Sequence, residues 1–468
     1  MPDSVNIGKT QGTVGTMAVR ANLIHTPRRG AIEAIADALI VVSAGTIDRV
    51  VAPATADHAD LALAFAETGR LLTCSPHAVL LPGLVDLHVH APQFPQLGTA
   101  LDLPLDRWLQ EHTFPLEARY ADLAFAEATY SELVATLLAN GTTTALYFAT
   151  IHLPATQRLA EICLRQGQRA LIGRVAMDHP AQCPDLYRDP SAAIAADETR
   201  RFIGFVRTMA GNGHRLIHPV ITPRFIPACT DELLAALGAL AGETSCHVQT
   251  HCSEGDWEHG HVHARCGCSD TTALDRFGLL GRRTILAHGN FIDSADMDLI
   301  AARGAGIAHC PLSNAYLADA VFPLRAALDR GVHVGIGTDI AGGPSASVLE
   351  NARHAVTVSR MLEDGVNPDV PRAARGSPSS RIDFREAFYL ATAGGGIALD
   401  LPIGVFAPGY QFDALLIDPA TPASNLRIGL AAKPDDALQR IVYTAQRADI
   451  SEVWVAGMRV AGVSDHRG

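Results

Sequence analysis

Residues 82–96 read PGLVDLHVHAPQFPQ, with two histidines spaced two apart at the end of an apolar run. If LVDLHVH is a strand, its side chains alternate between faces, and His88 and His90 project together from its C-terminal end. Paired histidines also arise by accident in buried strands, so the rest of the chain decides whether this pair holds a metal.

Between residues 80 and 340 short apolar runs alternate with alanine-rich helical stretches. The runs are VLLPGLVDLHVH, TTTALYF, RALIGRVAMD, RLIHPVITPRF, CHVQTHCSE, RTILAHGN, GAGIAHCP and VHVGIGTD. AFAEATYSELVATLLANG shows the three-and-four apolar spacing of a helix and stops on Gly141. Nearly continuous apolar strands separated by helices predict parallel α/β architecture, and eight repeats predict a (β/α)8 TIM barrel. Residues 17–80 and 403–465 instead alternate short strands with turns. Neither stretch makes a stable sheet alone, so the two chain ends are expected to pair into one small β-sandwich beside the barrel. The expected division is 1–80, 81–400 and 401–468. The stretch 362–382, rich in Pro, Gly, Ser and charge, reads as a mobile surface loop.

A barrel carries its chemistry at the C-terminal ends of its strands. His88 and His90 end the first run, Arg224 the fourth, His251 and Glu254 the fifth, His288 the sixth, His309 the seventh and Asp339 the eighth. Catalytic zinc takes three or four nitrogen and oxygen ligands and keeps a place for water. His88, His90, His251 and Asp339 supply that set. Such a metal lowers the pKa of its water; Asp339 can take the proton, Glu254 can protonate a substrate ring nitrogen, and His288 can hydrogen-bond the attacking oxygen or the tetrahedral intermediate. Duller readings stand beside these: Asp339 could cap the following helix, His247 could be a buried structural histidine, and His309 is left out as a packed strand-end residue. Lys9 and Lys433 are the only lysines. A P-loop lysine, a Schiff-base lysine and a carbamylated lysine bridging two metals are therefore all absent from the catalytic region, and a single metal is expected.

Composition bounds the rest. The 468 residues are 48% hydrophobic and 18% charged, the balance of a soluble globular protein with room for one large domain and a smaller one. A net charge of −12 without a basic block argues against nucleic acid or an anionic membrane as partner. No apolar run approaches the ~18 residues of a membrane span. The stretch MPDSVNIGKTQGTVG is no export signal, so a cytoplasmic address is expected. Nine scattered cysteines fit reduced thiols. The tract EHGHVHARCGC, with His259, His261, His263, Cys266 and Cys268, could hold a second metal but reads better as a solvated surface loop.

These residues resemble the amidohydrolase superfamily and, within it, the guanine deaminase family, over about residues 75–465. The HxH, HxxE and TD pattern is shared by many hydrolases of cyclic amides and amines. PGLVDLHVHAPQF, WLQEHTFPLEARY, NGTTTALYFATIH, TPRFIPACT, HCSE, AHCPLSN and GTDIAGG are similar to the narrower family. HTFPLEARY and NGTTTALYFATIH weigh most, because they hold no metal residue. The resemblance implies hydrolysis of guanine to xanthine and ammonia, a step of purine catabolism, with one Zn2+ per chain and a homodimer. It implies His88, His90, His251 and Asp339 as ligands, Glu254 as proton shuttle, Gln93 on the purine edge, Arg224 on the guanine carbonyl and Phe225 stacked on the ring. The chain departs from the family in the His/Cys-rich tract and in the length of 362–382, which leaves substrate range open to another aminopurine, a pterin or a triazine. A ring-opening cyclic amidase and a non-catalytic scaffold are the remoter alternatives.

Overall fold

The computed structural model describes residues 15–428 and 433–462; all but the last residue of the opening stretch read above as no export signal lies outside the described residues. Both chain ends contribute to one sheet. From the N-terminal part come β1 (Met17–Arg28), β2 (Ala31–Ser43), β3 (Thr46–Val51), β4 (Leu71–Thr73) and β5 (Val79–Pro82). Eight barrel strands follow, and β14 (Ala414–Ile417), β15 (Ile450–Val455) and β16 (Met458–Gly462) return to complete the sheet in the order β16-β15-β14-β5-β1-β2-β3, with β4 beside β1. The sheet folds over on itself. Ile47 N–H donates to the Tyr410 carbonyl and Phe412 N–H to the Gly45 carbonyl. One core of Val19, Leu23, Ile40, Leu80, Phe412 and Trp454 fills the space between its parts. The pairing of the two ends is thus as expected, with the strands hydrogen-bonded into a single continuous sheet.

The eight barrel strands are β6 (Leu84–His90), β7 (Thr142–Phe148), β8 (Arg169–Ala176), β9 (Ile217–Pro223), β10 (His247–Cys252), β11 (Thr284–His288), β12 (Gly306–His309) and β13 (His333–Ile336). They pair in chain order, every neighbour parallel. Each apolar run marked in the sequence lands on one of them, and the first run splits at Gly83 into β5 of the mixed sheet and β6 of the barrel. The helix Leu123–Ala139 begins on an Asp122 cap that accepts from the Ala124 and Phe125 amides, and Gly141 takes the left-handed φ that ends it.

The last strand meets the first through a seam of polar contacts. Asp339 N–H donates to the His88 carbonyl (2.8 Å) and His90 N–H to that of Ile340 (2.9 Å). The buried Asp86 carboxylate accepts from Thr338 N–H (3.0 Å) and Thr338 Oγ1 (2.6 Å). Gly337 permits this approach, since a Cβ there would meet His88 Cβ and Cys310 Sγ, each at 2.8 Å. The barrel interior is filled by Val85, Leu87, Leu146, Leu171, Val220 and Ile285, and Ala398, Leu399 and Ile403 pack against them. No helix among the described residues is long and apolar enough to cross a membrane.

Barrel and mixed sheet are joined by a buried ion pair. Arg169 Nε and Nη2 donate to Asp413 Oδ2 and Oδ1 at 3.1 and 3.2 Å, and Asp413 Oδ1 also accepts from Ala456 N–H at 2.7 Å. Removing one partner of such a pair strands the other charge out of water. Asp413→Ala is therefore expected to lower stability by about 3–5 kcal/mol, checked as a drop in the urea midpoint; a shift within error would show the link to be dispensable.

Candidate active site

Strand ends assemble the site. His88 and His90 leave β6 on the same face, His251 lies near the end of β10, and Asp339 follows β13; all four are buried. His88 Nε2 and His90 Nε2 stand 3.1 and 3.4 Å from Asp339 Oδ1, and His90 Nε2 stands 3.0 Å from His251 Nε2. Nitrogen and oxygen ligands about 2.1 Å from a tetrahedral ion lie about 3.4 Å apart, so these separations suit one small cation. The protonation pattern agrees. His251 Nδ1–H donates to the Arg224 carbonyl (2.6 Å), which leaves Nε2 as a bare lone pair aimed at the group. His88 Nε2 and His288 Nε2 are buried with no hydrogen-bond partner among the described residues. Burial pushes the His90 and His251 imidazoles well below their ordinary pKa, and nearby histidines add to it. Burial alone would raise the Asp339 carboxyl, but His88, His288 and His90 outweigh it and hold the group well below the usual range. Neutral imidazoles facing an anionic carboxylate are the donor set a divalent metal takes.

Two sequence-predicted groups stand on the open side of this set. His288 Nε2 lies 3.9 Å from Asp339 Oδ2 and 3.7 Å from Glu254 Oε2. Its Nδ1 pairs with Asn314 Oδ1 (2.9 Å), which calls for a proton on Nδ1 and leaves Nε2 an acceptor. Glu254 is buried, and loss of solvation together with Asp339 raises its pKa, while His288 and Arg224 pull the other way. A carboxyl so placed can hold a proton and give it up locally. His288 and Asp339 both have positive φ, as does Ser253 beside Glu254. Strained backbone outside glycine gathers where geometry is over-determined by its surroundings. His309 ends β12 buried, its ring 5.4 Å from Phe322 and both nitrogens unpartnered, and burial depresses its pKa to about 3. His247 Nε2–H donates to the Leu399 carbonyl (2.8 Å), away from the metal candidates.

Gln93, Arg224 and Phe225 line the same cavity as His90, His251, Glu254 and Asp339. Gln93 lies in the turn after β6 and Arg224 directly after β9. Between them stands a residue that sequence reasoning did not single out. Glu117, fully buried in the helical insertion 105–121, accepts from Arg224 Nη1 (2.7 Å) and Nη2 (3.1 Å) and from Gln93 Nε2 (2.8 Å). The half-buried Phe225 ring sits 6.2 Å from His251 and 6.1 Å from Trp257. Outward the cavity widens into a vestibule of about 660 Å3 bounded by Leu105, Leu109, Trp257 and Leu317.

The His/Cys-rich tract is not the surface loop expected from its composition. Asp256–Cys266 is a helix, with Asp256 and Glu258 in its first turn and left-handed Gly267 after its end. His259 Nδ1 lies 3.2 Å from Ser253 Oγ, and Cys266 and Cys268 pack against the barrel's main core. Glu258 Oε2 accepts the Glu254 backbone N–H (2.8 Å), so the tract supports the site from behind. Other supporting residues were missed as well: Asp86, Ser313, whose hydroxyl donates to Asp339 Oδ2, and Asn314. A lone acid inside the apolar LVDLHVH was the available signal for Asp86. The polar end of AHCPLSN was the signal for Ser313 and Asn314.

Comparison with known proteins agrees with this geometry. Residues 79–460 match the model of the amidohydrolase family. A probable guanine deaminase of Schizosaccharomyces pombe is 37% identical over 450 residues, which cover 94% of this chain and 82% of that protein. Among solved structures, a guanine deaminase from C. acetobutylicum with guanine bound in its active site superposes with a TM-score of 0.82 at 29% identity, covering 95% of this chain and all of the other. An adenosine deaminase from Xanthomonas campestris with bound zinc gives a TM-score of 0.78 at 25% identity, covering 95% and 92%. The chain belongs to the amidohydrolase family, on the branch that carries the guanine deaminases.

Proposed function

We propose that the protein hydrolyses guanine to xanthine and ammonia, using one zinc ion per chain held by His88, His90, His251 and Asp339. The observation that carries this reading is a single cavity lined at once by metal candidates, by the buried carboxyl of Glu254, and by Arg224, Gln93 and Phe225. The similarity to guanine deaminases over most of both chains supports the substrate. When bound, the ion supplies Lewis acidity that makes water a competent nucleophile near neutral pH.

The chain's own groups do the rest. Arg224 presents fixed N–H donors suited to a ring carbonyl, Gln93 meets the neighbouring edge, and Phe225 offers an apolar face to the flat heterocycle. These contacts orient the amine-bearing carbon toward Asp339 and Glu254. Asp339 takes a proton from the attacking water, and His288, as acceptor at Nε2, fixes the direction of its remaining O–H. Glu254 delivers a proton to the ring nitrogen beside the reacting carbon. The carbon–oxygen bond forms and the carbon–nitrogen bond breaks; Asp339 passes its proton to the departing amine, which leaves as ammonia, and the remaining hydroxyl proton replaces the one Glu254 gave to the ring nitrogen. The reading extends to a homodimer in the cytoplasm. The dimer rests on the family resemblance, and the address is the expectation drawn from the sequence; sedimentation and fractionation check them.

The deciding assay is ammonia release from guanine beside adenine, cytosine, a pterin and an aminated triazine, with metal determined on the same sample. Selective turnover of guanine at about one zinc per chain is expected; turnover of another heterocycle with guanine inert would move the substrate. Glu254→Gln is expected to keep its zinc while losing about 10²–10⁴-fold in kcat, and near-normal turnover would remove the shuttle role. Asp339→Ala is expected to lose both metal and activity, and chelation of the parent to abolish activity until zinc is restored. A metal-free sample that still turned over at the parent rate would sink the metal reading.

A further inference from the structure

Glu117 is a carboxylate with no solvent exposure, carried into the barrel mouth by an insertion that is not part of the barrel. Three N–H donors converge on its two oxygens, two from Arg224 and one from Gln93. The Gln93 amide is fixed at its other end too, because Oε1 accepts the Ala341 N–H at 3.2 Å from the turn that carries Asp339. Arg224 is fixed at its backbone, whose carbonyl accepts the hydrogen bond from His251 Nδ1–H. Every group of this network is therefore held in one orientation, with Glu117 at its centre. The arrangement has two chemical consequences. The Gln93 amide cannot flip, so its donor and acceptor keep their places against the substrate edge. The Arg224 guanidinium is already neutralised by a bidentate partner, so it offers its remaining N–H donors to a ligand without offering a net positive charge.

Resting on the guanine reading, we propose that Glu117 is a positioning and specificity-determining residue: it orients Arg224 and Gln93 for a neutral purine and cancels the charge that would otherwise retain the product. Xanthine has a carbonyl where guanine has its amine, and its ring N–H groups, flanked by carbonyls, ionise more readily. An unpaired buried arginine would hold that anion tightly. A paired one lets it leave.

The test is a double-mutant cycle on the zinc-loaded enzyme, reading KM for guanine, the inhibition constant for xanthine, and metal content. Glu117→Gln keeps the shape but offers one oxygen to three donors. It is expected to raise KM for guanine about tenfold or more and to shift the xanthine-to-guanine affinity ratio about tenfold toward xanthine, with zinc unchanged. Glu117→Asp keeps the charge and is expected to weaken both ligands while preserving the parent ratio. Glu117→Gln combined with Arg224→Met is expected to lose no more than Arg224→Met alone, because one residue acts through the other. This neutral pair also keeps the question decidable if Glu117→Gln does not fold. A parental ratio in Glu117→Gln, or losses that multiply in the double variant, would overturn the proposal while leaving the guanine reading intact. A parent enzyme inert toward guanine would overturn both, and that result is visible before any variant is made.

Discussion

The contact between the first and last barrel strands is the constraint on which the rest of the molecule depends. His88 and His90 belong to β6 and Asp339 follows β13, some 250 residues later. They meet because the Asp86 carboxylate accepts two bonds from Thr338 and because two backbone bonds cross the same seam. Burial pushes Asp86 up to about 7 even with the Thr338 bonds opposing it, so the seam stores an acid whose charge is only just tolerated. Seven other strand joins are ordinary parallel ladders. This one is made of side chains as well as backbone, and it sets the distance between the carboxylate and the imidazoles.

Recognition and metal chemistry share that frame. The carbonyl of Arg224 fixes the tautomer of His251, while the guanidinium of the same residue faces the cavity. Gln93 is tied to Ala341 in the Asp339 turn. A displacement of Arg224 or Gln93 is thus passed toward a candidate ligand through a single hydrogen bond. The phenyl ring of Phe148, at the end of β7, packs within 5 Å of the His88, His90 and His251 rings and closes the group from the apolar side.

The barrel was legible in the sequence because its signal is local. Each strand is a short β-branched run, and polar residues stand at the ends where a barrel carries its chemistry, so His88, His90, His251, His288 and Asp339 could be named without coordinates. Glu117 could not. Nothing in HTFPLEARY distinguishes a buried carboxylate from a surface one, and its meaning depends on Arg224, 107 positions away. Asp86 stood out as a lone acid in an apolar strand, but its partner Thr338, 252 positions away, did not. The tract around His261 misled in the opposite sense. Its composition suggests a polar loop, but helix caps at Gly255 and Gly267 and the packing of Val262 and Cys266 make it a helix. Tertiary burial there overrides what the residue types suggest singly.

The mixed sheet has a consequence for how the molecule is made. Strand β5, which leads directly into β6, lies between β1 and β14. One of its two flanks is therefore supplied by residues synthesised more than 300 positions after it. Until those residues are in place β5 has an open edge, Arg169 lacks its Asp413 partner, and the main core lacks Leu415, Leu438 and Ile441, a state that invites pairing with another chain. Strands β14–β16 act as a lock on the fold: a chain cut before Ala414 keeps all eight barrel strands but leaves β5 with an unpaired edge.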